Sequence, residues 1–180
     1  SSAMWSSPLA HHLRVRQLYP PEVAVTMSKN LLIAAHAPSD NTTALANAAL
    51  RGATNPDAGD VRVEMKSPFD ISSADVVACD GFIIGTTENI GYMAGATKDM
   101  FDRCYNDWLE QKEGLPVGIY IRAGLDGTAT RRALEGIAGA QRWRLVAPPL
   151  ILHGAWLEDY PAQVEELAMG MAAGLDAGIF

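Results

Sequence analysis

From Asn30 to Phe180, short apolar runs alternate with segments whose apolar residues recur at helical spacing. That alternation most constrains the fold, because such strand–helix units bury their faces by packing helices on a mostly parallel sheet. The first run, Leu31-Leu-Ile-Ala-Ala, is apolar throughout, as strands buried on both faces tend to be. Thr42 to Arg51 is Ala-rich with Leu45, Ala48 and Ala49 on one side, which predicts a helix. Val61 to Met65 alternates apolar and polar residues and predicts a strand near an edge. Ser72 to Val77 predicts a short helix capped by Ser72 or Ser73.

Phe82 to Gly85 predicts the third strand and Pro116 to Ile121 the fourth, while Met93 to Glu110 and Thr128 to Ala140 predict helices. Leu145 to Leu152 reads as a last strand interrupted by Pro148-Pro149, so bulged or at an edge. Pro161 to Ala177 closes the chain as a helix, with Val164, Leu167, Ala168, Met171 and Leu175 at helical spacing. Together these elements predict an α/β fold: a three-layer, doubly wound, five-stranded parallel sheet. Right-handed crossovers leave two common strand orders, 3-2-1-4-5 and 2-1-3-4-5. The second places the loops after the first and third strands side by side.

The chain of 180 residues carries 48% hydrophobic and 19% charged residues, which is the balance of a soluble globular domain. Its formal net charge of -7 argues against nucleic acid, whose phosphates are gripped by clustered Lys and Arg. No uninterrupted apolar run approaches the roughly 20 residues of a membrane helix. Cys79 and Cys104 form no Cys-x-x-Cys pair and read as reduced packing residues of a cytoplasmic protein. Residues 1–26 differ in character: Ser-rich at first, then His11-His12, Arg14, Arg16 and Pro20-Pro21. Met27 stands just ahead of the first strand, so residues 1–26 are expected to be an added remnant or an upstream extension, with a dimer-contact arm as the rival. Residues 27–180 form the expected domain.

Three loops carry unusual chemistry at the carboxyl ends of predicted strands, where open parallel sheets bind ligands. The first, His36-Ala-Pro-Ser-Asp-Asn-Thr-Thr, opens into a helix whose free amides and dipole favour a phosphate, with Ser39, Asn41, Thr42 and Thr43 around them. Ordinary helix capping explains the same residues equally well. The second follows Phe82-Ile-Ile as an open loop from Thr86 to Tyr92, expected to offer amides and hydroxyls to a flat heterocycle instead of closing a tight hairpin. The third, Arg122-Ala-Gly-Leu-Asp-Gly-Thr, holds Gly124 and Gly127, which permit close backbone approach to a ligand. A glycine turn between strand and helix is also commonplace.

Other candidates are weaker. His36 and His153 sit at strand ends and could bond a ligand or simply satisfy local backbone. Arg131-Arg132 and Arg142/Arg144 read as a solvated face or a dock for a ligand's phosphate. No His spacing suggests a metal. Ser39 lacks the Gly-x-Ser-x-Gly elbow of a hydrolase, and no Walker or Gly-x-Gly-x-x-Gly loop is present.

The first loop, Ala37-Pro-Ser-Asp-Asn-Thr, resembles the phosphate loop of flavodoxins. The run from Gly85 to Arg103 resembles the second loop and adjoining helix of NAD(P)H-dependent FMN reductases and flavodoxin-like quinone reductases. The resemblance implies the flavodoxin-like order 2-1-3-4-5 and noncovalent FMN. By position, Ser39, Asn41, Thr42 and Thr43 would hold the phosphate. Thr86, Thr87, Glu88, Asn89, Ile90, Gly91 and Tyr92 would line the isoalloxazine, and Ala123, Gly124 and Asp126 would flank its far edge. Tyr92 is the best flanking aromatic, with Trp156 a distant one. Asp40 replaces a frequent glycine and Thr87 a frequent proline.

The same resemblance implies an enzyme passing electrons from NAD(P)H to a quinone, flavin or similar small-molecule acceptor, with a homodimer or higher homo-oligomer expected. A flavodoxin-type electron carrier and a flavin-free scaffold are the alternatives. A response-regulator receiver lacks support, because its acidic cluster after the first strand is missing.

Overall fold

The computed structural model describes residues 27–180; the expectation for residues 1–26 lies outside the described residues. Among these residues, seven strands and five α-helices follow in the order β1 (Lys29–Ala35), α1 (Asp40–Ala53), β2 (Val61–Lys66), α2 (Ser73–Ala78), β3 (Gly81–Asn89), β4 (Tyr92–Met93), α3 (Gly95–Trp108), β5 (Pro116–Ala123), α4 (Thr128–Ala140), β6 (Arg144–Leu145), β7 (Leu150–His153) and α5 (Tyr160–Asp176). The path β2-β1-β3-β5-β6 is parallel throughout, and β7 also pairs parallel with β5. Counting β6 and β7 as one interrupted strand recovers the expected order 2-1-3-4-5. The interruption is the Ala147-Pro148-Pro149 segment: two consecutive prolines donate no ladder hydrogen bond, and pairing resumes only at Leu150.

Two cores lie on the two faces of the sheet. On one, Phe82, Trp108, Phe101 and Trp143 make edge-on and tilted ring contacts between strands and α3, joined by Leu134 and Ala138 of α4. On the other, the Ala-rich face of α1 meets α5 over Ile33 and Ile83. Small residues let these two helices approach closely. Cys79 and Cys104 are buried and not joined in a disulfide, as packing residues would be. Among the described residues, no helix is long and apolar enough to cross a membrane.

Two expectations need correction. The segment after β3 is a tight hairpin, with Glu88 facing Met93 and Asn89 facing Tyr92 in an antiparallel pair. Its two turn residues, Ile90 and Gly91, have φ of 51° and 71°, the positive values a two-residue primed turn requires. An Ile in that position hides the turn from sequence reading, which looks for Asn-Gly or Asp-Gly. Consequently α3 begins at Gly95 instead of Met93, because Met93 is spent in the hairpin.

Candidate functional site

The carboxyl ends of β1, β3 and β5 lie side by side, with Ala35 beside Gly85 and Thr87 beside Arg122. The His36 amide donates to the Gly85 carbonyl at 2.9 Å, so the first loop springs directly from the base of the second. Three loops therefore share one rim: 36–39, the 88–93 hairpin and 124–127.

In the first loop, Ser39 caps α1 in a reciprocal box. The Thr42 amide donates to Ser39 Oγ at 3.2 Å, and the Ser39 amide donates to Thr42 Oγ1 at 2.9 Å. Thr42 is buried, so its hydroxyl serves the cap, while Asn41 and Thr43 are exposed on the first turn. The helix start leaves amides of the first turn without intrahelical acceptors, and the dipole favours an anion there. The exposed Asp40 carboxylate stands at the same end. His36 is half-buried, and burial lowers its imidazole pKa below the ordinary value of 6.5.

In the second region the side chains divide by strand alternation. Thr86 is buried and its Oγ1 lies 2.7 Å from Thr97 Oγ1, tying β3 to the first turn of α3. Glu88, on the same side, reaches the buried Thr130 hydroxyl of α4 at 3.4 Å, so its carboxylate braces the hairpin. On the opposite side the Thr87 hydroxyl donates to Asn89 Oδ1 at 2.9 Å. Ile90 at the tip is fully exposed and Tyr92 is partly exposed.

The third loop has Ala123 buried, Gly124 in open space, and Asp126 accepting from the Thr128 amide at 3.1 Å ahead of α4. A fourth part of the rim was only partly legible in the sequence, which offered Trp156 as a distant aromatic and Arg122 as the start of the third loop. The Arg122 guanidinium donates to the carbonyls of Ala123 (2.8 Å), Leu152 (2.9 Å) and Gly154 (2.7 Å). It lies 5.8 Å from the Trp156 ring centroid and 5.7 Å from that of Tyr160. The Tyr160 hydroxyl donates to the His153 carbonyl, so segment 153–160 is drawn onto the rim beside the third loop. Trp156, the distant aromatic of the sequence, thus packs on Tyr160 and Arg122. No spacing rule links an Arg to an aromatic 34 positions later; only the pairing of β5 with β7 brings them together.

An apolar groove of about 520 Å³ lies elsewhere, along the outer sheet edge between Pro148-Pro149 and α5. It shares no residue with the rim.

The arrangement is that of a flavodoxin-like α/β protein. The Flv1 flavodiiron core from Synechocystis superimposes with a TM-score of 0.67 at 19% identity, over 84% of this chain and 36% of that one. A flavodoxin from the domain Archaea gives 0.66 at 15% identity, over 83% of this chain and 99% of that one. These likenesses show the fold.

Within that fold, part of the sequence is similar to a plant protein named as a quinone dehydrogenase. It is 34% identical over 71 residues to the Arabidopsis thaliana protein named "Probable NAD(P)H dehydrogenase (quinone) FQR1-like 2". That match takes in 36% of this chain and only 26% of the plant protein. No protein-family model matches the chain.

Proposed function

We propose that the protein binds FMN at this rim and passes electrons from NAD(P)H to a quinone, flavin or similar acceptor. The observation that carries the reading is the convergence of three loops on adjacent strand ends, with an exposed helix N-terminus in the first. The donors fit a phosphate ester: unpaired first-turn amides, with the exposed Asn41 side chain and Thr43 hydroxyl beside them. The NAD(P)H donor and the quinone acceptor rest on the name of the plant relative.

When bound, the flavin supplies the two-electron chemistry, and the chain binds and orients it. Asn41 and Thr43, with the first-turn amides of α1, hold the phosphate; Ser39 and Thr42 keep that turn closed through the capping box. The hairpin from Glu88 to Met93 forms one wall for the ring, its angle set by the Thr86–Thr97 and Glu88–Thr130 contacts. Thr87, Asn89, Ile90, Gly91 and Tyr92 line that wall. Ala123, Gly124 and Asp126 form the opposite edge, where the absence of a side chain at Gly124 leaves the backbone approachable. Assembly as a homo-oligomer in the cytoplasm completes the reading; light scattering tests the assembly.

The test is an absorption spectrum of purified protein before and after loading with FMN and desalting. Retained flavin bands, bleached by NADH or NADPH and restored by a quinone, are the expected result. Flavin bands inert to both nicotinamides favour the electron carrier. No retained flavin favours the flavin-free scaffold, a second reading supported by the exposed Asp40 carboxylate and by the engagement of two hydroxyls in the cap.

A further inference from the structure

Among the described residues, Arg122 is a cation without a counter-ion: it makes no ion pair with any carboxylate. Its guanidinium is met by three neutral carbonyls and two aromatic faces, from β5, β7, α5 and the segment 154–159 between β7 and α5. Carbonyl dipoles and ring faces offset the positive charge only in part, because none of them carries a net charge. A net charge therefore remains, and its side chain is held at the carboxyl end of the sheet, immediately before Ala123 and one strand from Thr87. Those two residues belong to the opposite walls of the proposed ring site.

We propose that Arg122 is an electrostatic residue of that site, favouring the reduced over the oxidised flavin ring. Uptake of two electrons and one proton by oxidised FMN leaves the ring with one additional negative charge. A fixed cation at the rim stabilises that product more than the neutral oxidised ring, and partial burial limits screening by salt. The charge and the clamp are separable functions: the carbonyl bonds position segment 153–160, whereas the field acts on the ligand. The proposal rests on FMN binding at the rim.

The experiment compares affinities for oxidised and dithionite-reduced riboflavin and FMN, by fluorescence quenching and anaerobic titration at pH 8. Riboflavin lacks the phosphate, so an effect common to both ligands belongs to the ring. Arg122→Met is expected to lower the reduced-to-oxidised affinity ratio about tenfold, which is a fall of about 30 mV in the two-electron potential. Arg122→Lys is expected to retain most of the ratio.

The clamp is kept intact in a second pair, Gly154→Asp and Gly154→Asn. These differ only in charge, and they sit where the Arg122 guanidinium meets a carbonyl and where a Cβ has open space. Both share the cost of φ +75°, which Asp and Asn tolerate best among side-chain-bearing residues. Gly154→Asp should lower the ratio and Gly154→Asn should not. An unchanged ratio in Arg122→Met or Gly154→Asp overturns the proposal, as do equal losses in Asp and Asn or in Met and Lys. A wild-type protein that binds neither flavin overturns the FMN reading itself and this inference with it; binding with an insensitive ratio removes the inference alone.

Discussion

The ring of Tyr120 fills the space that a side chain at Gly85 would need. A Cβ built on Gly85 would stand 2.5 Å from Tyr120 Cε1, and nearer still to Cζ and the hydroxyl oxygen. The two residues are direct partners across β3 and β5, so the contact is fixed by register. It brings a large aromatic beneath the rim, in the strand pair from which the loops spring.

Replacing Gly85 by Ala is therefore expected to destabilise the protein by ~1–3 kcal/mol, the usual cost of overpacking. The Tyr120 hydroxyl is buried without a hydrogen-bond partner, and burial pushes its pKa above the ordinary phenol value. Tyr120→Phe should consequently leave stability unchanged or raise it by about 1 kcal/mol, since an unsatisfied group is removed. Urea unfolding of both variants checks the pair; a tolerated Gly85→Ala would refute the crowding.

Thr86 and Thr97 test how the hairpin is aimed. Both hydroxyls are buried and bonded to each other. Thr86→Val strands the Thr97 hydroxyl and should cost about 1–3 kcal/mol, whereas Thr86→Val with Thr97→Val should cost less than the sum of the single changes. A double-mutant cycle by chemical denaturation reads the coupling, and strict additivity would show that the contact contributes nothing.

Ile90 is a β-branched residue at φ 51° with its side chain wholly in solvent. Its conformation is strained and its exposure gains no packing in the monomer. Ile90→Asn, which suits the first position of a primed turn, should raise stability by about 1 kcal/mol. Thermal unfolding measures it. A loss of stability would indicate that the exposed Ile90 is covered in an oligomer, and sedimentation of the two proteins would then differ.

His36 supplies a pH prediction. Its folded pKa lies below that of the unfolded chain, so the unfolded state binds the proton more readily. The resulting stability is fully present above pH 6.5. It declines as pH falls from there through the folded pKa, and levels off below it. An NMR titration should place the His36 imidazole below 6.5, and His36→Gln should remove that part of the decline between neutral pH and pH 5. An imidazole titrating above 6.5 would reverse the sign.

The alternation of apolar runs and helical spacing was enough to set the fold class, because period-2 and period-3.6 burial patterns are properties of the local chain. Thr128 to Ala140 coincides with α4, and the Pro148-Pro149 break falls where β6 ends and β7 begins. Both signals are written in consecutive residues. The hairpin was not, since Ile-Gly lacks the usual turn chemistry and is held by Thr86–Thr97 and Glu88–Thr130, contacts between β3 and the helices that come after it.

The candidate loops were legible as strand ends rich in Gly, Ser, Thr and Asn, but the direction of each side chain was not. Thr42 turns into the cap and Glu88 toward α4, because burial and helix packing select rotamers that composition cannot reveal. Arg122 is the clearest case. By itself the sequence determined the alternation of the main strands and helices, and that polar residues gather at the carboxyl ends of β1, β3 and β5. Tertiary structure alone decided that Arg122 meets Trp156 and Tyr160, and that Tyr120 displaces any side chain at Gly85, because strand register joins residues that are far apart in the chain.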